Sequence, residues 1–428
     1  MKIIDVTVPA VEAARLRRAT AIPDSLLEDA KEIMKGVAEH GDSAVIDYTA
    51  KFDGIRLGSL KVSNQEIKQA YSQVTKDQIK AVRLMKEQLA KSDIAVLKRL
   101  KGIAISLSDG VKIDRVIKPV ASVGCYIPGG KARYPSTVVM CAVPAKAAGV
   151  KRIVAVSPPR KDGTIDPLTL VAADISGVDE FYKAGGAQGI AALAYGTESI
   201  KPVSKIVGPG GMFVTAAKLI ASSNISTDMV AGPTELLVYA DATANPRLVA
   251  IDLISQAEHS TDTICGLVTA SQKLASQVQA QVQAIVEKIT RSDIVKSSLQ
   301  NNGFVAVCRN ESACTEFVNE FAPEHLEIMC KNADSVAKKI DSAGLVLIGQ
   351  YAPSSASDYS LGSNHVLPTL GFGKSRASLS VLDFIKIVNT VRVTKAGLAK
   401  ASKAIREMAS AEGLLNHYEA VRARTDEE

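Results

Sequence analysis

The chain has 428 residues, 46% hydrophobic and 22% charged, an ordinary balance for a globular protein. A net charge of only +6, aromatics at 4% and no Trp leave no basis for nucleic-acid binding through base stacking. No segment reaches the ~20 uninterrupted apolar residues of a membrane span. Six cysteines without a C-x-x-C pair, and no basic leader, read as buried thiols in a cytoplasmic protein.

The length suggests about two to three domains. Residues 1–100 read as helical. Pro23-Asp24 opens a helix expected to run to His40 and stop at Gly41. Ser63-Asn-Gln-Glu66 is a capping box, in which Ser63 and Glu66 satisfy each other's free amides. Helical period continues over 76–98, and Lys98, Arg99 and Lys101 make a solvated helix end.

From about 114 the pattern alternates. Apolar strand runs fall at 120–123, 153–156, 180–182, 205–207 and 236–239, separated by helical stretches at 137–149, 166–175, 187–195, 213–222 and 246–257. Further strands follow at 267–269, 304–308, 326–329 and 345–348. Strands spaced by helices imply βαβ units, hence two Rossmann-like α/β domains with parallel sheets. The stretch 395–422 reads as one long helix. The expected division is an N-terminal extension 1–25, one α/β domain from 26–115 and 235–378 with a helical lead-in, a second from 116–234, and a C-terminal helical extension 379–428.

Three glycine-rich turns sit at strand-to-helix junctions: Tyr126-Ile-Pro-Gly-Gly130, Gly185-Gly-Ala-Gln-Gly189 and Gly208-Pro-Gly-Gly211. Such turns let backbone amides approach a phosphate at a helix N-terminus. None is the G-x-G-x-x-G fingerprint, and each alone also suits a plain tight turn. Three together favour a dinucleotide, with Tyr126 and Gln188 beside them.

Four of the five histidines lie in polar clusters. Gln256 and His259, three apart at a helix end, share one face and could share a metal; on local sequence alone a satisfied helix histidine is the plainer reading. Glu324 and His325 are adjacent after Pro323. They line one site only if they lie in the turn entering the strand, since strand neighbours point to opposite faces. There they form an acid–base pair; elsewhere, a surface ion pair. Asp358 and His365 occupy a long Ser/Gly/Pro-rich segment that is either a functional loop or a solvated one. His417 lies on the last helix, five residues after Glu412, where a surface role is the plain alternative.

Taken together and in order, these motifs resemble the histidinol dehydrogenase family. The resemblance rests on Val123-Gly-Cys-Tyr-Ile-Pro-Gly-Gly130, Gly185-Gly-Ala-Gln-Gly-Ile-Ala-Ala-Leu-Ala-Tyr-Gly196, Asp228-Met-Val-Ala-Gly-Pro-Thr-Glu235, Ser255-Gln-Ala-Glu-His259, Pro323-Glu-His-Leu326, Gly362-Ser-Asn-His-Val-Leu-Pro-Thr369 and Ala411-Glu-Gly-Leu-Leu-Asn-His417. It implies a zinc- and NAD-dependent enzyme that oxidises L-histidinol to L-histidine through histidinaldehyde, using two NAD. It implies Gln256, His259, Asp358 and His417 as zinc ligands, with His417 given to the partner site of a homodimer by the crossing C-terminal helix. Glu324 and His325 match the acid–base pair, and Thr234, His365 and Glu412 match substrate contacts alongside the ligands. Tyr126 and Gln188 match NAD contacts, so 116–234 would be the NAD side. Two positions depart from the pattern. The usual Gly-Pro-Gly-Asn loop ends in Gly211, which lacks the amide, and Thr234 replaces the usual Ser but keeps a hydroxyl.

The chemistry agrees with those assignments. Two imidazoles, one carboxylate and one amide leave Zn²⁺ at net +1, with open positions to orient a substrate rather than activate water. His325 is expected as the base during hydride loss, and Glu324 as the group that activates the water hydrating the aldehyde. A relative acting on another polar alcohol such as sulfopropanediol, a zinc hydrolase and a non-catalytic metal scaffold are the competing readings.

Overall fold

The computed structural model describes residues 1–17, 22–129, 133–229 and 232–425. Gly130 of the first glycine turn, and Val230 and Ala231 of the 228–235 motif, lie outside the described residues.

Two parallel sheets form the framework. The first has six strands in the order Lys2–Val6, Phe304–Cys308, Ile264–Thr269, Glu235–Ala240, His325–Met329 and Leu345–Ile348, every pair parallel. The second has five, in the order Glu180–Lys183, Arg152–Ser157, Ser122–Tyr126, Lys205–Val207 and Ser226–Thr227, again all parallel. Their central strands are buried on both faces, which is why they read as continuous apolar runs.

Helices cover both sheets, and their ends follow local chemistry. Asn245 caps the helix Pro246–Ala257, and its Oδ1 accepts from Arg247 N. The Ser63–Glu66 capping box forms as expected. The first long helix behaves differently at Gly41. It does not stop there; it breaks (φ 56°, ψ −133°) and resumes to Asp53. Only glycine tolerates that conformation readily, and the Asp42 amide turns out to the Glu198 carboxylate. The C-terminal stretch is two helices, Lys395–Ala411 and Leu415–Thr425, because Gly413 adopts φ 72° between them.

Three strands run antiparallel in a separate sheet, in the order Ile385–Val393, Val111–Pro119, Ile103–Ser108. Sequence periodicity missed this sheet and the edge strand Lys2–Val6. Ile103, Ile387, Val391 and Val393 share one exposed face by register, so no buried side imposes an alternating pattern.

Helices Asp24–Asp53 and Lys76–Arg99 share cores with the five-stranded sheet. Met34 and Val37 lie with Val154 and Ile190, and Met85 and Leu89 with Val139 and Leu170. The sequence reading groups 26–115 with 235–378 instead. Five cysteines are buried and Cys330 is half-buried, and all are free thiols.

Candidate active site

Strand geometry places the acid–base pair. In the six-stranded sheet His325 stands opposite Leu236, and alternate residues Leu326 and Ile328 enter the core on the other face. His325 and Glu327 therefore share a face. Glu324 precedes the strand, in a turn that starts at Ala322 with left-handed φ 48°. That turn lets both Glu324 and His325 face one site, with His325 Nδ1 3.7 Å from Glu324 Oε2. Both side chains are buried.

His325 Nδ1 lies 3.2 Å from the Glu235 carbonyl oxygen. A carbonyl only accepts, so Nδ1 carries the proton and Nε2 holds the lone pair in the neutral ring. Nε2 is buried without a hydrogen-bond partner, 3.9 Å from Asp358 Oδ1. Burial pulls the His325 pKa down, but Glu324, Asp358 and the Glu235 carbonyl together outweigh it and hold the ring up at about 9.

Glu324 Oε2 accepts from the Thr234 hydroxyl at 2.6 Å and from the Glu235 amide at 2.7 Å. Thr234 Oγ1 also accepts from Gln256 Nε2 at 3.1 Å. Gln256 is buried in the last turn of Pro246–Ala257. His259 lies just past that helix in an exposed turn, tied by its amide to the Gln256 carbonyl at 3.2 Å.

Asp358 ends the short helix Ser354–Ser357. Glu327 anchors that helix, accepting from the Ser354 amide at 2.5 Å, and Ser354 Oγ reaches Gln256 Oε1 at 3.3 Å. Burial, then neighbouring Asp252, pushes the Glu327 carboxyl upward. His365 Nδ1 bonds the Asp358 carbonyl at 2.9 Å, and its Nε2 lies 3.5 Å from Thr137 Oγ1. Burial lowers the His365 pKa against the pull of Asp358, which favours a neutral ring.

One cluster thus gathers these residues: Thr234, Gln256 and Glu324 are directly hydrogen-bonded, His325 stands 3.7 Å from Glu324 and 3.9 Å from Asp358, and His365 bonds the Asp358 carbonyl. Glu412 and His417 stand apart at the C-terminal helices, both exposed, and Leu415–Thr425 buries no residue. Among the described residues, no three His, Cys, Asp or Glu side chains of this chain converge as a metal group. Sequence reasoning passed over Glu235 and Glu327. Their signal was an acid inside an apolar strand, Glu235-Leu-Leu-Val-Tyr-Ala240 and His325-Leu-Glu-Ile-Met329.

The glycine turns lie at the C-terminal edge of the five-stranded sheet. Gly186 N donates to the Tyr126 hydroxyl at 3.1 Å, and Gln188 is buried with Oε1 unpartnered. The Gly208 loop is held by a buried pair: Lys218 Nζ donates to the Gly208 carbonyl at 2.9 Å, and Asp228 accepts the Gly208 amide at 2.7 Å. Gly211 is exposed, and a Cβ there would meet nothing within 4 Å. The His365 loop docks on the same sheet's helix Pro135–Ala148, with Asn364 Nδ2 donating to the Met140 carbonyl at 2.8 Å.

Glycine turns on one parallel sheet and a buried acid–imidazole pair on the other form the layout of a nucleotide-linked oxidoreductase, and the comparisons with known proteins place the chain in that class. The family model described as histidinol dehydrogenase matches residues 16–425. The histidinol dehydrogenase of Methanocaldococcus jannaschii is 41% identical over 409 residues, 96% of this chain and 95% of that protein. That of Clostridium acetobutylicum is 42% identical over 399 residues, covering 93% and 92%. The solved histidinol dehydrogenase of Elizabethkingia anophelis superposes with TM-score 0.93 at 36% identity, covering 99% of this chain and 98% of that one. The chain belongs to the histidinol dehydrogenase family, a family of NAD-dependent oxidoreductases.

Proposed function

We propose that the protein oxidises L-histidinol to L-histidine through histidinaldehyde, with zinc and two NAD, in the last steps of histidine biosynthesis in the cytoplasm. The observation that carries this is the buried Glu324–His325 pair, with His325 Nε2 unpartnered beside Asp358. No described helix is long and apolar enough to cross a membrane.

The donor set suits a divalent cation. Gln256 spends its Nε2 on Thr234, and its carbonyl oxygen, which accepts from the Ser354 hydroxyl, keeps a second lone pair for a metal. Among the described residues, no side chain donates a hydrogen bond to the Asp358 carboxylate. Gln256, His259 and Asp358 of one subunit, with His417 of a second copy, would hold zinc. Bound zinc supplies positive charge that orients the imidazole and amine of the substrate. Thr234, His365 and Glu412 complete the substrate contacts, and Tyr126 and Gln188 contact NAD.

In the first step a hydride leaves the carbinol carbon for NAD⁺ while His325, in its neutral form, takes the hydroxyl proton on Nε2. Glu324 then draws a proton from water as it adds to the aldehyde carbon, while protonated His325 returns its proton to the former carbonyl oxygen. A second hydride leaves the resulting diol for a second NAD⁺, and His325 again accepts the proton. The products are histidine, two NADH and the released protons.

A homodimer fits the exposed apolar face of the antiparallel sheet and the exposed Met408, Leu414 and Leu415 of the C-terminal helices. We assign 116–234 to the NAD side and 379–428 to the segment that reaches the partner. The test is NADH formed per L-histidinol consumed, with and without a chelator. About two NADH, lost on chelation and restored by zinc, is expected from the four-electron reading. One NADH would remove the hydration step from Glu324, and none would move the substrate to another alcohol.

A further inference from the structure

Glu235 is fully buried at the start of the central strand Glu235–Ala240, and both its carboxylate oxygens are used on backbone amides far away in sequence. Oε2 accepts from Glu324 N at 3.3 Å, and Oε1 accepts from Leu370 N at 2.9 Å. Its own backbone is used as well. Glu235 N donates to Glu324 Oε2 at 2.7 Å, and its carbonyl receives His325 Nδ1 at 3.2 Å. One residue therefore touches the catalytic turn three ways and the end of the 362–371 loop, which carries His365, once.

The two clasped segments are strained. Among the described residues only Arg291, Ala322 and Leu370 are non-glycine with positive φ. Leu370 (φ 57°) is itself bonded to Glu235, and Ala322 (φ 48°) opens the turn whose Glu324 amide Glu235 holds. Such a conformation is unfavourable for a side-chain-bearing residue and persists only where surroundings over-determine it. Two buried amides pointing at one spot need two acceptors from one side chain. A carboxylate has both; an amide has one acceptor and would set an N–H against an N–H.

We infer that Glu235 is a positioning residue for the oxidation, whose carboxylate clasps the Glu324–His325 turn and the His365 loop into one rigid unit. Its carboxylate touches no reacting atom and works by fixing where Glu324, His325 and His365 stand. The kinetic part of this inference rests on the proposed dehydrogenase function.

The decisive variant is Glu235→Gln in the zinc-loaded full-length protein. A misplacement of about 1 Å costs roughly 100-fold. The expected result is kcat per zinc-bearing site reduced about 30- to 100-fold for both histidinol and histidinaldehyde, with KM and zinc content within about twofold. A merely structural role would lower the thermal midpoint and the fraction of zinc-bearing sites but leave kcat per such site unchanged. That outcome overturns the inference. If Glu235→Gln does not fold, Glu235→Asp keeps two acceptors on a shorter arm and is expected to show the same split with a smaller kcat loss. Crystal structures of parent and variant read the geometry whatever the substrate is. An unmoved 322–325 turn and Leu370 in the variant would also overturn it. A parent protein that makes no NADH from histidinol instead counts against the proposed function alone.

Discussion

The Thr234 hydroxyl gives its one proton to the Glu324 carboxylate, at 2.6 Å. Toward Gln256 it can then only accept, so the amide must present Nε2 at 3.1 Å and turn its carbonyl oxygen the other way. One threonine thereby orients a proposed metal ligand and a proposed water-activating acid. Thr234→Val keeps the shape and removes the hydroxyl. We expect about 10-fold weaker zinc binding, as for lost outer partners of metal ligands, and slower acid formation. Thr234→Ser should stay near the parent. Zinc titration by calorimetry with a competing chelator reads the first effect.

If His417 serves the partner's site, two inactive variants should rescue each other. A His259→Asn subunit and a His417→Asn subunit make a heterodimer with one site carrying both defects and one site intact. Random pairing of the co-expressed chains is then expected to restore about a quarter of the parental activity. Each variant alone should stay inactive. No recovery in purified mixed dimers would place both histidines in one subunit's site.

Gly211 has an ordinary φ of −67° and open space where a Cβ would go. Gly211→Asn, which restores the residue usual in this loop, should therefore be accepted without strain. One regained hydrogen bond is worth about 0.5–1.5 kcal/mol, so NAD is expected to bind about 2- to 12-fold tighter with kcat unchanged. Fluorescence titration of NADH measures this directly.

Asp93 is buried beneath the Ser380–Phe384 turn, accepting from Val381 N at 2.8 Å while its other oxygen has no partner. Burial chiefly, with Asp383 adding to it, lifts its pKa from 3.8 to about 6. The folded state therefore holds this proton more tightly than the unfolded chain, and its contribution to stability falls as pH rises from 3.8 through about 6. Asp93→Asn keeps the acceptor for Val381 and cannot ionise. At pH 8 it should melt above the parent, by up to about 3 kcal/mol of stability, and the advantage should vanish near pH 4. Thermal melts at the two pH values decide the matter; an equal gain at both would mean packing rather than charge.

The chemistry-bearing residues were legible in the sequence because their identities are local. Strands Phe304–Cys308 and Leu345–Ile348 and the helix Pro246–Ala257 stand where the apolar periodicity places them. Buried parallel strands and amphipathic helices write their burial into adjacent positions. The antiparallel sheet did not, since its exposed face carries Ile103, Ile387 and Val391 instead of polar residues.

The sequence by itself determined the parallel α/β architecture, the motifs that place the chain in its family, and the set of candidate ligands and bases. The tertiary structure alone decided which edges meet. The pair Glu324 and His325 stands at the N-terminal edge of one sheet, and Tyr126 and the glycine turns stand at the C-terminal edge of the other. It alone separated His417 from the cluster of its own chain and gave Glu235 its work. Periodicity reports what lies within a few residues, whereas Glu235 acts on amides 89 and 135 positions away, brought to it only by the packed sheet.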